Sequence, residues 1–248
     1  PGPAYALRVA GEQRSEQCRR AARRATASSR KQMKILALLA ATAAALSAPR
    51  HTVARRPSGR ARAAGRAVHQ ALRSRRTINN FDQSKPVSDE IMRRALEAAI
   101  QAPNHKLTEP WLFRRLGRES IEAVAALNAA SIADPEKAAK KAARWASIDN
   151  WLVVTSKITP GDELLTLEDY AATCCAVQNL QLAFAADGVG TKWTSGDIQR
   201  TPEFETICGI EAGKERVVGV VWYGYADGAA PPPKKRKLAV DDVLVEVA

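Results

Sequence analysis

TLEDYAATCCAVQNLQLAFAA, residues 166–186, decides how the rest of the chain is read. No Pro or Gly interrupts it. Leu167, Tyr170, Ala171, Cys174, Val177, Gln178, Leu180, Gln181, Phe184 and Ala185 leave little exposed polar surface. The run predicts one long helix, and a helix apolar nearly all round is buried, in a core or between subunits. Asp187-Gly188 stops it, because glycine takes the left-handed turn that closes a helix.

Working outward, the neighbouring segments alternate between the two periodicities of secondary structure. Upstream, Trp151–Ser156 (WLVVTS) reads as a buried strand, two Ala-rich helices fill about 119–130 and 135–147, and 111–116 alternates as a strand. Pro86 and Ser88 open a helix over about 89–102, with Ile91, Met92, Ala95, Leu96 and Ala99 as its apolar stripe, and Pro103 ends it. A short helix over about 67–75 precedes that. Downstream come TKWTSGD, a short helix near 202–208, the strand 216–225 and a strand-like end over 243–247. The expected fold class is α+β: a mostly antiparallel central sheet flanked by helices in one domain, 67–248.

Residues 1–66 are of another kind. The chain of 248 residues has 38 Lys and Arg against 26 Asp and Glu, a net charge of +12. The first 66 residues hold 15 basic and 2 acidic residues, so the remainder is close to neutral. That split removes the electrostatic case for nucleic-acid binding by the folded part. Met33-Lys34, the twelve-residue apolar run ILALLAATAAAL and the small residues Ser47 and Ala48 describe a signal segment over 33–49. It is too short for a membrane-spanning helix, which needs about 20 residues. The Arg-rich stretch 50–66, free of acidic residues, has the composition of a transit peptide. Together they predict that residues 1–66 are a disordered presequence of the secondary-plastid type, in which residues 1–32 are upstream sequence if Met33 is the start; a mitochondrial address is the alternative. The mature part is expected to need neither membrane nor nucleic acid. The four cysteines lack metal-ligand spacing, and reduced thiols are expected.

Three segments carry a family resemblance. They are Arg75-Arg76-Thr77-x-x-x-Phe81, then Ala102-Pro103-Asn104-His105-Lys106-x-x-Glu109-Pro110-Trp111, then Gly188-x-Gly190-x-x-Trp193-x-Ser195-Gly196. In that order, with the late strand VVGVVWYGY, they resemble the nitroreductase family of FMN enzymes over essentially all of 67–248. The middle motif is closest to a compact bacterial subgroup in which A-P-D-H-K precedes P-W.

The resemblance implies an FMN site between two subunits of a homodimer, with the long helix at the interface. Arg75, Arg76 and Thr77 would hold the phosphate, which suits the forked, permanently charged guanidinium. Trp193, Thr194 and Ser195 correspond to the stretch against the flavin ring, and His105 and Glu109 to further flavin contacts. Lys235 and Lys237, in the KKRK run 234–237, correspond to a late basic pair that returns to the phosphate. A nuclear import signal or a solvated tail are other readings of that run. Glu109 stands where the family usually has Gln. An ionised carboxylate can only accept hydrogen bonds, and its charge is expected to lower the flavin potential. Asn79 stands where many relatives carry Lys or Arg.

The implied activity is FMN-dependent NAD(P)H oxidation by hydride transfer, passing electrons to a nitroaromatic, quinone or similar small acceptor in ping-pong order. The cofactors are FMN with NADPH or NADH as reductant. No side chain is singled out as catalytic, because the flavin supplies the chemistry, and no metal is expected. The competing classes are a flavin-binding protein without turnover, favoured by Asn79 and Glu109, and a basic nucleic-acid-binding protein.

Overall fold

The computed structural model describes residues 59–247, with side chains from Gly65 onward; the signal segment 33–49 lies outside the described residues. The chain forms α1 (Gly59–Ser74), α2 (Asp89–Ala99), β1 (Trp111–Arg115), α3 (Arg118–Ala130), α4 (Pro135–Ala146), β2 (Trp151–Lys157), α5 (Glu163–Ala186), β3 (Gly190–Thr194), α6 (Pro202–Cys208) and β4 (Glu215–Gly224). The strands make one sheet in the order β1-β2-β4-β3, and all three pairings are antiparallel. The α+β expectation is met.

The ends of the elements follow local chemistry. Ser88 accepts from the Ile91 amide at the start of α2, Asp134 caps α4 ahead of Pro135, and Asp162 accepts from Leu165 to start α5. Gly209, in the left-handed conformation, ends α6.

The central strands β2 and β4 are apolar on both faces because helices cover both. On one side, Leu152 and Val154 of β2 and Val221 and Tyr223 of β4 pack on Ala172, Ala176, Val177, Leu180 and Phe184 of α5, with α2 behind. Phe184 stacks on Tyr223 at 4.9 Å, worth about 0.5–1.5 kcal/mol beyond the area buried. On the other side, Trp151, Val153, Val220 and Trp222 meet Ile121 and Val124 of α3 and Phe204 of α6. There Trp145, Trp151 and Trp222 form an aromatic triangle with centroids 5.1–5.6 Å apart. Lys192 lies over Trp222 at 5.0 Å and Lys141 over Trp145 at 5.5 Å.

Arg114 of β1 reaches across β2 to Glu215 at the start of β4 with two parallel bonds of 2.7 Å, and Thr155 donates to the same carboxylate. Burial alone would raise the Glu215 carboxyl. The bonds from Arg114 and Thr155 outweigh it and hold the group below the usual glutamate range.

Two sequence expectations change. The first helix begins at Gly59 rather than near 67, so it runs through the boundary drawn at 66. The segment 243–247 is not a strand: among the described residues it pairs with none, and Val243, Leu244, Val245 and Val247 are exposed. A strand needs a partner edge, and neither sheet edge takes this segment up. Helix α5 is buried along the side that faces the sheet, and Leu164, Leu167 and Cys175 on its other side are exposed in the single chain.

Candidate functional site

Two of the three motifs meet at the β3 edge of the sheet. Thr77 forms a parallel bridge to Thr191, and the Ile78 amide donates to the Thr191 carbonyl at 3.0 Å. Gly190 permits this approach, since a Cβ there would stand 2.5 Å from Ile78 Cγ1. Phe81 bridges to Ala226 beyond β4, so the segment after Arg75-Arg76 is tied down at both ends.

Further along β3, Trp193, Thr194 and Ser195 line a pocket of about 240 Å³ with Gly196, Gln199, Arg200 and Tyr170 of α5. A bulge in β4 shapes it. Val154 pairs with Gly219 and Thr155 with Val217, which leaves Val218 as the extra residue. The Val218 carbonyl accepts from Trp193 Nε1 at 3.3 Å. Gly219 takes φ +150, and a Cβ there would lie 2.4 Å from Trp193 Nε1. The bulge and the glycine together seat the indole. Burial raises the Tyr170 phenol and the Cys174 thiol above their ordinary values, so both keep their protons at neutral pH.

Arg75 and Arg76 follow α1 directly. Arg76 folds back, and its Nη1 donates to the carbonyls of Arg73 at 2.6 Å and Arg75 at 2.7 Å, groups that a helix end leaves unpaired. Arg75 Nη1 and Arg76 Nε are buried without a partner among the described residues. Burial depresses the Arg75 guanidinium, and the like charges of Arg76 and then Arg236 add to it. The expected pair Lys235 and Lys237 lies in an exposed tail; the member of that run whose charge acts on Arg75 is Arg236, between them.

The middle motif is held separately. His105–Leu107 make one turn of 3₁₀ helix after Pro103-Asn104. His105 and Glu109 are exposed, and neither lines the Trp193 pocket. Lys106, Leu107 and Glu109 all have positive φ, 54, 52 and 45. The Glu109 amide donates to Asn104 Oδ1 at 3.0 Å, and Thr108 Oγ1 donates to Asp169 Oδ1 of α5 at 2.6 Å. Among the described residues, no group of three or more His, Cys, Asp or Glu side chains is placed to hold a metal.

Residues 72–225 match the family model described as "Nitroreductase family". The chain belongs to the nitroreductase family. It is similar to the Bacillus subtilis (strain 168) protein "Putative NAD(P)H nitroreductase YfhC", 34% identical over 73% of this chain and 94% of that one. A solved nitroreductase-like family protein from Bacillus cereus shares 30% identity and a TM-score of 0.63, over 72% of this chain and 95% of that one. A nitroreductase with bound FMN from Desulfitobacterium hafniense DCB-2 shares the fold, with 19% identity and a TM-score of 0.55 over 73% and 98% of the two chains.

The residues present fit an FMN phosphate. The buried, unpartnered guanidinium donors of Arg75 and Arg76, with the charge of Arg236 beside them, are what a dianion needs. The sequence motifs of this nitroreductase-family chain do not reach Tyr170, which reads as part of the apolar helix, or Gln199 and Arg200, which follow the third motif within four residues of Gly196. For Gln199 and Arg200 the signal is proximity to that motif; Tyr170, on α5, carries none.

Proposed function

We propose that this chain is an FMN-dependent NAD(P)H oxidoreductase that reduces a small organic acceptor, a nitroaromatic or a quinone, as a homodimer. One observation carries the reading. Unpartnered guanidinium donors of Arg75 and Arg76, under the charge of Arg236, precede by one or two residues the Thr77–Thr191 bridge that joins them to the strand bearing the Trp193 pocket.

The chemistry supplied by bound FMN is hydride acceptance from NADPH or NADH and hydride donation to the acceptor, in ping-pong order. The chain's own residues bind and orient. Arg75, with Arg236 and Thr77, holds the phosphate. Trp193, Thr194 and Ser195 bound the ring, and Tyr170 closes the wall with its proton retained. His105 and Glu109 approach from their own loop, and the Glu109 carboxylate disfavours added negative charge on the flavin. The uncovered apolar residues Leu164 and Leu167 of α5 suit a second copy of this chain. The middle motif supports the compact A-P-D-H-K subgroup, and the composition of residues 33–66 supports a plastid address.

The test is the absorbance spectrum of the purified full-length chain, incubated with FMN and then with NADPH or NADH without oxygen. Flavin bands that bleach establish the reductase. Bands that persist with both nicotinamides leave a flavin-binding protein without this turnover. No flavin uptake overturns the proposal.

A further inference from the structure

We propose that Asp169 is a positioning residue for the flavin site, holding the segment His105–Glu109 in its strained conformation through Thr108. This rests on the reading of His105 and Glu109 as flavin contacts.

Three non-glycine residues with positive φ lie within four positions, Lys106, Leu107 and Glu109. Such conformations persist only where the surroundings over-determine them. Apolar burial does not do so here, since His105, Lys106, Leu107 and Glu109 are exposed and Leu107 is 80% accessible. Two hydrogen bonds stay inside the motif: the Glu109 amide to Asn104 Oδ1 at 3.0 Å and the Thr108 amide to the His105 carbonyl at 3.3 Å. Between Asn104 and Glu109, the bond among the described residues that leaves the motif for another element is the one from Thr108 Oγ1 to Asp169 Oδ1, at 2.6 Å.

Asp169 is unusual for its place. It is 1% exposed on the sheet-facing side of α5, and its Oδ2 is buried with no hydrogen-bond partner among the described residues. A carboxyl that only anchored a helix would be better replaced by an apolar side chain, because burial with one bond is costly. The next residue, Tyr170, lines the Trp193 pocket. One turn of α5 therefore grips the His105–Glu109 loop with one residue and walls the pocket with its neighbour. The two parts of the site, which share no strand, are set in register by this turn.

The experiment compares full-length wild type with Thr108→Val, Asp169→Ala and Thr108→Ser, all incubated with FMN. Three quantities are read: hydrogen exchange of peptides covering 104–110, the FMN dissociation constant, and the flavin spectrum and midpoint potential. Loss of the bond in Thr108→Val and Asp169→Ala is expected to speed exchange in 104–110 and weaken FMN binding roughly ten-fold, the scale of one hydrogen bond. It should also shift the spectrum and potential of the flavin that remains bound. Thr108→Ser, which keeps the hydroxyl, should restore all three. Unchanged exchange in both disruptive variants overturns the proposal. Faster exchange with an unmoved flavin spectrum and potential makes the contact structural only and also overturns it. A wild type that takes up no FMN fails in a different and visible place: it removes the flavin reading itself, and the site role of Asp169 with it.

Discussion

The Trp193–Ser195 wall and the His105–Glu109 loop, the two parts of the proposed flavin site, are held by opposite means. Trp193 sits on a strand paired along its length, its indole bonded to the Val218 carbonyl and fitted against a glycine where any Cβ would crowd it. The loop is exposed, strained at three residues and, among the described residues, tied to another element by one side-chain bond. The first arrangement gives precision through the cooperative stability of the sheet. The second concentrates control in very few atoms, so that a small change could re-aim His105 and Glu109 while leaving the core intact.

The comparison can be broken from the sheet side first. Glu215→Ala leaves the half-buried Arg114 without its partner at the start of β4, and the expected loss is about 3–5 kcal/mol by denaturant unfolding. The folded Glu215 carboxyl lies below its ordinary value. Its stabilisation is therefore complete above the unfolded pKa of about 4.3 and fades as pH falls through the lower folded value. Glu215→Gln should accordingly lose less stability than wild type on acidification below pH of about 4. Next in size is Gly219→Ala. It pushes a methyl into the Trp193 indole and the Thr194 carbonyl at positive φ, and should cost about 1–3 kcal/mol and alter Trp193 fluorescence.

Loop changes should barely register in the same assay. Asn104→Ala removes the acceptor of the Glu109 amide and should cost no more than about 1 kcal/mol globally, while hydrogen exchange at 105–110 rises sharply. Glu109→Gln, smallest in stability, should leave the unfolding midpoint unchanged and raise the flavin midpoint potential. An unmoved potential would show that the Glu109 charge does not reach the flavin. If Asn104→Ala lowered global stability as much as Gly219→Ala, the contrast between the two regions would be wrong.

Much of this architecture is legible in the residues. The helical period around Ile91 and Leu96, the apolar run at 151–156 and the stop at Asp187-Gly188 each report a local preference, and the elements stand where those preferences put them. Strand β3 is less readable. GTKWT carries glycine and lysine, and it becomes a strand because β4 offers an edge. The terminal segment shows the converse, since Val243–Val247 has strand composition but no partner among the described residues. For the site, the motifs that name Arg75, Thr77 and Trp193 are local, and the structure keeps them near one sheet edge. Asp169 and Arg236 act through contacts or charges that span many residues of sequence, 61 in the case of Thr108 and Asp169. Nothing in their immediate neighbours announces that.

The tryptophan triangle has an optical consequence. Trp145, Trp151 and Trp222, with ring centroids no more than 5.6 Å apart, are close enough to couple as excitons and share excitation. Near-ultraviolet circular dichroism should therefore report the integrity of the α3–α4 face as one collective band. Trp193, 37% exposed on the other side of the sheet, stays outside the triangle and answers separately to whatever enters the pocket. Beside Trp111, buried at the start of β1, the chain thus carries two built-in reporters, one for the scaffold and one for the site, that can be read in a single sample.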